Sequence, residues 1–96
     1  MTTNAQHFDA FIDAIPGYDT RYVPLHVYLT RALDAVYATL KTGAALPPSQ
    51  LVRTLPRGGT PGAAPALTAA NLPAIAAVPA AGNAVVVDTG TIDVPD

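Results

Sequence analysis

The residues that could do chemistry are few and widely spaced: Asp88 within Val85-Val86-Val87-Asp88-Thr89-Gly90-Thr91, two histidines at positions 7 and 26, and a single serine at 49. A carboxylate does acid–base work when a second carboxylate shares its proton. The Asp88 window offers a turn instead, with Asp supplying a local hydrogen bond and Gly a positive φ. Neither His7 nor His26 has a His, Asp or Glu three or four residues further on, so neither completes a metal-binding helix face, and both are expected as surface or interface histidines. Ser49 follows Pro47-Pro48 without a neighbouring histidine to serve as its base. Gly58, Gly59 and Gly62 lack the Lys-Ser/Thr of a phosphate loop. No catalytic residue, cofactor or metal ligand is expected on these grounds, and the chain reads as non-enzymatic.

The Asp88-Thr89-Gly90-Thr91 run behind three valines resembles the active-site signature of aspartic proteases, and 96 residues is about the size of a retroviral protease subunit. That resemblance implies a dimer in which paired Asp88 side chains share a proton and activate a water. In that family the triplet lies in the first third of the subunit, ahead of a glycine-rich flap. Here six residues follow Gly90, and helices and prolines precede it, which leaves the protease as a remote alternative.

The elements that would position these residues divide the chain at Gly43. Thr3 and Gln6 have capping-box spacing, and Phe8, Phe11, Ile12 and Ile15 recur at i, i+3, i+4 and i+7, which predicts a helix over 4–14 stopped by Pro16-Gly17. Asp9 and Asp13 then fall on its polar edges. A second helix is predicted over 24–42, with Pro24 in its first turn, Lys41 in its last and Gly43 just beyond. Its main apolar stripe is Leu25, Leu29, Ala32, Leu33, Val36 and Leu40; a second flank carries Val27, Tyr28, Ala35 and Tyr37. A short first helix cannot cover both, so a partner is expected here as well. Arg31 and Asp34, three apart, are expected to pair on the exposed side.

Residues 44–96 follow other rules. One helical turn is conceivable at 48–55, where Leu51, Val52 and Leu55 share a side. From Gly58 to Val87 no side chain is charged, and Leu72, Ile75 and Val78 recur every third residue, the period of polyproline II. This Ala/Pro-rich tract is similar to the interdomain linkers of lipoyl-bearing acyltransferases, which would make it a tether. Leu67, Leu72, Ile75 and Val78 read better as pegs for shallow pockets on a partner. The end, Ala84 to Val94, is predicted as strand, tight turn and strand, with Val85, Val86 and Val87 free to augment a partner's sheet.

Composition narrows the class. There is no cysteine, the net charge is −2, and the five basic residues are scattered, so nucleic acid is not an expected partner. The most apolar window is broken by Pro73, Pro79 and Gly82, so no membrane span is expected either. The basic, early-apolar pattern of a secretory signal is lacking in MTTNAQHFDA, which is consistent with a cytoplasmic protein.

The expected architecture is therefore small and mainly α: a two-helix head (1–43) and a long extended arm (44–96) ending in a short strand or hairpin, not an independent globular domain. The head would dock through Phe8, Phe11, Ile12, Leu29, Leu33, Val36, Tyr37 and Leu40. The function expected is that of a structural protein clamping subunits of a larger assembly, copies of itself among them. Small bacteriophage virion proteins, as capsid cement or minor head or tail components, share this architecture, which places the chain in the virion. The alternative is an accessory subunit whose arm wraps the catalytic subunit of a bacterial multi-subunit enzyme.

Overall fold

Three helices form in the first part of the chain: α1 (Ala10–Ala14), α2 (Tyr18–Arg21) and α3 (His26–Thr42). The computed structural model describes residues 1–96. α3 ends as its sequence requires, with Gly43 at φ 74° donating its N–H to the Thr39 carbonyl at 2.9 Å. The first helix is shorter than the predicted 4–14. Residues 1–4 run beside 50–54 instead: Val52 N–H donates to the Met1 carbonyl (2.8 Å), Thr3 N–H to the Val52 carbonyl (3.0 Å), and Asn4 turns at φ 51°. Thr3, the predicted cap, is spent on Thr54, whose N–H it accepts at 2.9 Å. The predicted connector holds α2, a single turn that no apolar spacing announces, entered through Gly17 at φ 81°.

The segment 49–54 is extended, not helical, and forms the middle of the molecule. On its other edge Leu51 N–H donates to the Asn83 carbonyl (2.8 Å), and Val85 N–H to the Ser49 carbonyl (3.0 Å). A 3₁₀ turn at Ala81–Asn83 leads into an antiparallel hairpin, β1 (Val86–Asp88) and β2 (Thr91–Asp93), in register Val86↔Asp93, Val87↔Ile92 and Asp88↔Thr91. Gly90 makes the turn possible with φ 77°.

α3 packs on the flank that looked secondary in the sequence. Tyr28 is buried, and Val27, Arg31, Ala35 and Thr39 are half-buried along the same side. The more regular stripe faces out: Leu29 is 60% exposed, Leu33 59% and Leu40 81%. Arg31 does not pair with Asp34; it donates to the carbonyls of Leu72 (3.0 Å) and Pro73 (2.9 Å) while lying over the Tyr28 ring.

The expected extended arm folds back along the helices. Tyr28 Oη donates to the Pro73 carbonyl (2.8 Å), Gly58 N–H to Thr20 (2.9 Å), and Arg57 Nε to Asp19 (2.9 Å). Gln50, itself buried, grips the tract at Ala76, accepting from its N–H at 2.9 Å and donating to its carbonyl at 2.8 Å. Of the four expected pegs, Leu67, Leu72 and Ile75 are half-buried within the chain, whereas Val78 is almost fully exposed.

Only seven residues are buried: Ile12, Val23, Tyr28, Gln50, Leu51, Val52 and Thr54. The radius of gyration is 15.1 Å, against about 12.5 Å for a compact domain of this length. The core is therefore thin and the outline open. No helix is long and apolar enough to cross a membrane.

Candidate functional site at the start of the long helix

Asp9 stands just ahead of α1, and the fold carries it to the N-terminus of α3. Its Oδ1 accepts the Leu25 N–H and its Oδ2 the His26 N–H, both at 2.7 Å, and Oδ2 also meets His26 Nδ1 at 2.8 Å. The first turn of α3 has no cap from its own flanking residues. Asp9 therefore acts as a cap from sixteen residues away, its charge complementing the positive end of the helix dipole. Partial burial pushes its carboxyl upward, but the two backbone hydrogen bonds and then the imidazole outweigh this, and its pKa is lowered overall.

This capping fixes an imidazole. With Asp9 ionised, Nδ1 of His26 is the donor, so in the neutral ring Nε2 is the acceptor on the free side. The His26 side chain is 69% exposed, so that nitrogen is open to a reactant. His7 opens on the same cleft, an open space of about 470 Å³ whose remaining lining is Phe8, Asp9, Leu25 and Leu29. The His7 ring packs edge-on against Phe8 at 4.3 Å, and Phe8 likewise against Phe11 at 5.4 Å. Two imidazoles with an apolar rim can move a proton to or from an uncharged substrate.

Nothing in local spacing joins the two histidines, because His26 and Asp9 lie seventeen residues apart. Phe8 lines this cleft with Phe11 packed against it, Ile12 is buried, and Leu29 continues from the cleft onto the bare face with Leu33, Val36, Tyr37 and Leu40. Ser49 lies elsewhere, on an apolar groove of about 310 Å³ between α3 and residues 46–52 that also includes Ile75. Val85 is half-buried through its bond to Ser49, whereas Val86 and Val87 are exposed on β1. Asp88 sits at the exposed tip of the hairpin, its Oδ1 accepting the Thr89 N–H at 2.7 Å, the local turn bond its sequence suggested. No group of three or more His, Cys, Asp or Glu side chains is placed to hold a metal ion.

Comparison with known proteins identifies the family of the chain. The family model for 3HB-oligomer hydrolase (3HBOH) matches residues 1–96, and the chain belongs to that family. It is 66% identical over 97 residues to a D-(-)-3-hydroxybutyrate oligomer hydrolase of Paracidovorax citrulli, covering 98% of this chain and 14% of that protein. It is 65% identical over 94 residues to the protein of the same name from Cupriavidus necator, covering 97% and 13%. A Burkholderia cenocepacia protein, again of that name, is 62% identical over 93 residues, covering 97% and 13%. The chain thus spans about a seventh of the first of these relatives. No solved structure matches it.

These findings correct the functional expectation. The virion setting, with its capsid-cement or minor head or tail roles, and the non-enzymatic reading are both overturned, because the chain belongs to a family of bacterial hydrolases. The misreading has a physical source: a segment with a thin core and uncovered apolar surface has the composition of a clamp protein, whichever larger body it belongs to.

Proposed function

We propose that the chain acts as one segment of a 3-hydroxybutyrate oligomer hydrolase, and that it presents the His7–Asp9–His26 cleft to the ester being cleaved. The observation that carries this reading is the family match over all 96 residues. The geometry supplies the rest. Ester hydrolysis needs a group that takes a proton from the attacking hydroxyl and returns one to the departing 3-hydroxybutyrate oxygen. The chain's only imidazoles share one cleft, and one of them is oriented by a carboxylate. Ser49 lines a different groove, so the attacking hydroxyl comes from water or from the remainder of the longer enzyme.

In this reading residues 1–43 and 44–96 form parts of one hydrolase, with protein the partner of their exposed surfaces. Fewer surfaces are then left for a partner: Val86 and Val87 remain the strand edge open for pairing, and Leu67, Leu72 and Ile75 serve the segment's own folding.

The test replaces the matching segment of the P. citrulli hydrolase with this chain and follows hydrolysis of 3-hydroxybutyrate oligomers. The chimera is expected to be active. In it, His7→Gln and His26→Gln are made separately, and whichever imidazole moves the proton should lose about 10²–10⁴-fold in kcat when replaced. If both variants keep more than half of the activity, the cleft is not catalytic.

A further inference from the structure

We infer that the outward face of α3, from Leu29 through Leu33 and Val36 to Leu40, is an intramolecular docking surface covered by the remaining polypeptide of the hydrolase. This rests on the reading of the chain as a hydrolase segment, and it adds the surface by which that segment is held.

Two observations point to a covered face and a third to its occupant. The first is the orientation of α3, whose periodic leucine stripe faces out while its lesser flank packs on the chain itself. A seventeen-residue helix that leaves its stronger apolar face bare is built to lie between two bodies. The second is area. The chain exposes 6354 Å², against about 5,200 Å² for a compact protein of its mass. The excess, about 1,200 Å², exceeds the roughly 800 Å² that one partner contributes to a standard protein interface. The third is length: the P. citrulli relative carries the matched segment as 14% of its chain, so a body large enough to cover the face belongs to the same polypeptide.

The stripe also fits an internal partner by its chemistry. No charged residue interrupts it between Leu29 and Leu40, since Arg31 is drawn inward to the Leu72 and Pro73 carbonyls and Asp34 lies off it. Burial against a protein core would leave no unpaired ion. The face runs without a break into the histidine cleft through Leu29, so docking α3 would also set the position of His7 and His26 relative to that body.

Hydrogen exchange tests this on the same chimera of the P. citrulli enzyme. Amides of residues 29–40 should exchange roughly tenfold or more slowly in the chimera than in the isolated chain. Leu33→Asp and Leu40→Asp should lower the melting temperature of the chimera by several degrees and leave that of the isolated chain unchanged. Val78→Asp, at an exposed apolar residue off the helix, should be neutral in both. Equal exchange of residues 29–40 in chimera and isolated chain overturns the docking, even if the aspartate variants do not fold. A stable dimer of the isolated chain that Leu33→Asp dissolves also overturns it, by assigning the face to a second copy. Neither readout depends on activity: loss of turnover in the histidine variants and loss of protection on α3 can fail separately.

Discussion

Between residues 26 and 42 the backbone satisfies its own hydrogen bonds through a helix, whereas between residues 50 and 76 side chains do most of that work. Gln50 takes both backbone groups of Ala76, Asn71 donates to the Leu55 carbonyl at 3.0 Å, and Asp19 accepts from the Gly62 N–H at 2.8 Å. Amide and carboxylate side chains serve there as substitutes for a neighbouring strand. The contrast teaches how a proline-broken, uncharged tract is held in place: a few polar side chains, each at a fixed place, stand in for the regular ladder that proline forbids.

The sharpest way to break the contrast is Gln50→Leu. The substitution keeps the size of the side chain and orphans the N–H and the carbonyl of Ala76, at about 1–3 kcal/mol for each group left unpaired. Denaturant unfolding should show the loss, and exchange should show residues 72–78 released first. A loss below about 0.5 kcal/mol would mean that water replaces the amide without cost.

On the helical side the corresponding test is Asp9→Ala, which removes the distant cap of α3 at about 1–2 kcal/mol. Because the folded chain holds the Asp9 carboxyl below its ordinary value, its contribution is present above about pH 4 and is lost as pH falls through the lowered pKa. The wild-type chain should therefore lose stability on acidification in that range, and Asp9→Ala should lack that part of the loss. An identical acid limb in both proteins would remove Asp9 from the account.

Tyr28 joins the two regions and carries the smallest expected effect. Tyr28→Phe deletes one hydrogen bond to Pro73, worth about 0.5–1.5 kcal/mol. Burial raises its phenol, only partly opposed by the charge and hydrogen bond of Arg31. The neutral phenol thus favours the folded chain below about pH 10, and that contribution disappears as pH rises through the raised value. Alkaline unfolding followed by tyrosine absorbance should shift in Tyr28→Phe; an unchanged alkaline limb would show that the contact is not held in solution.

What the sequence by itself determined is local. The extent of α3, its glycine stop, and the strand–turn–strand around Asp88-Thr89-Gly90 follow from periodicity and turn chemistry that act within a few residues. Long-range choices were decided only by the tertiary structure. The predicted helix loses its first turns, residues 4–9, because its expected cap Thr3 and its first residue Asn4 find partners on Thr54, fifty positions away. The tract from Gly58 to Val87 turns back because Gln50, Tyr28 and Arg31 offer it donors and acceptors that no spacing rule reveals. The cleft came from the same source: His7 and His26 looked unrelated until the fold brought Asp9 to the head of α3. Periodicity shows which side of a helix is apolar; which side is covered depends on what the rest of the chain can reach.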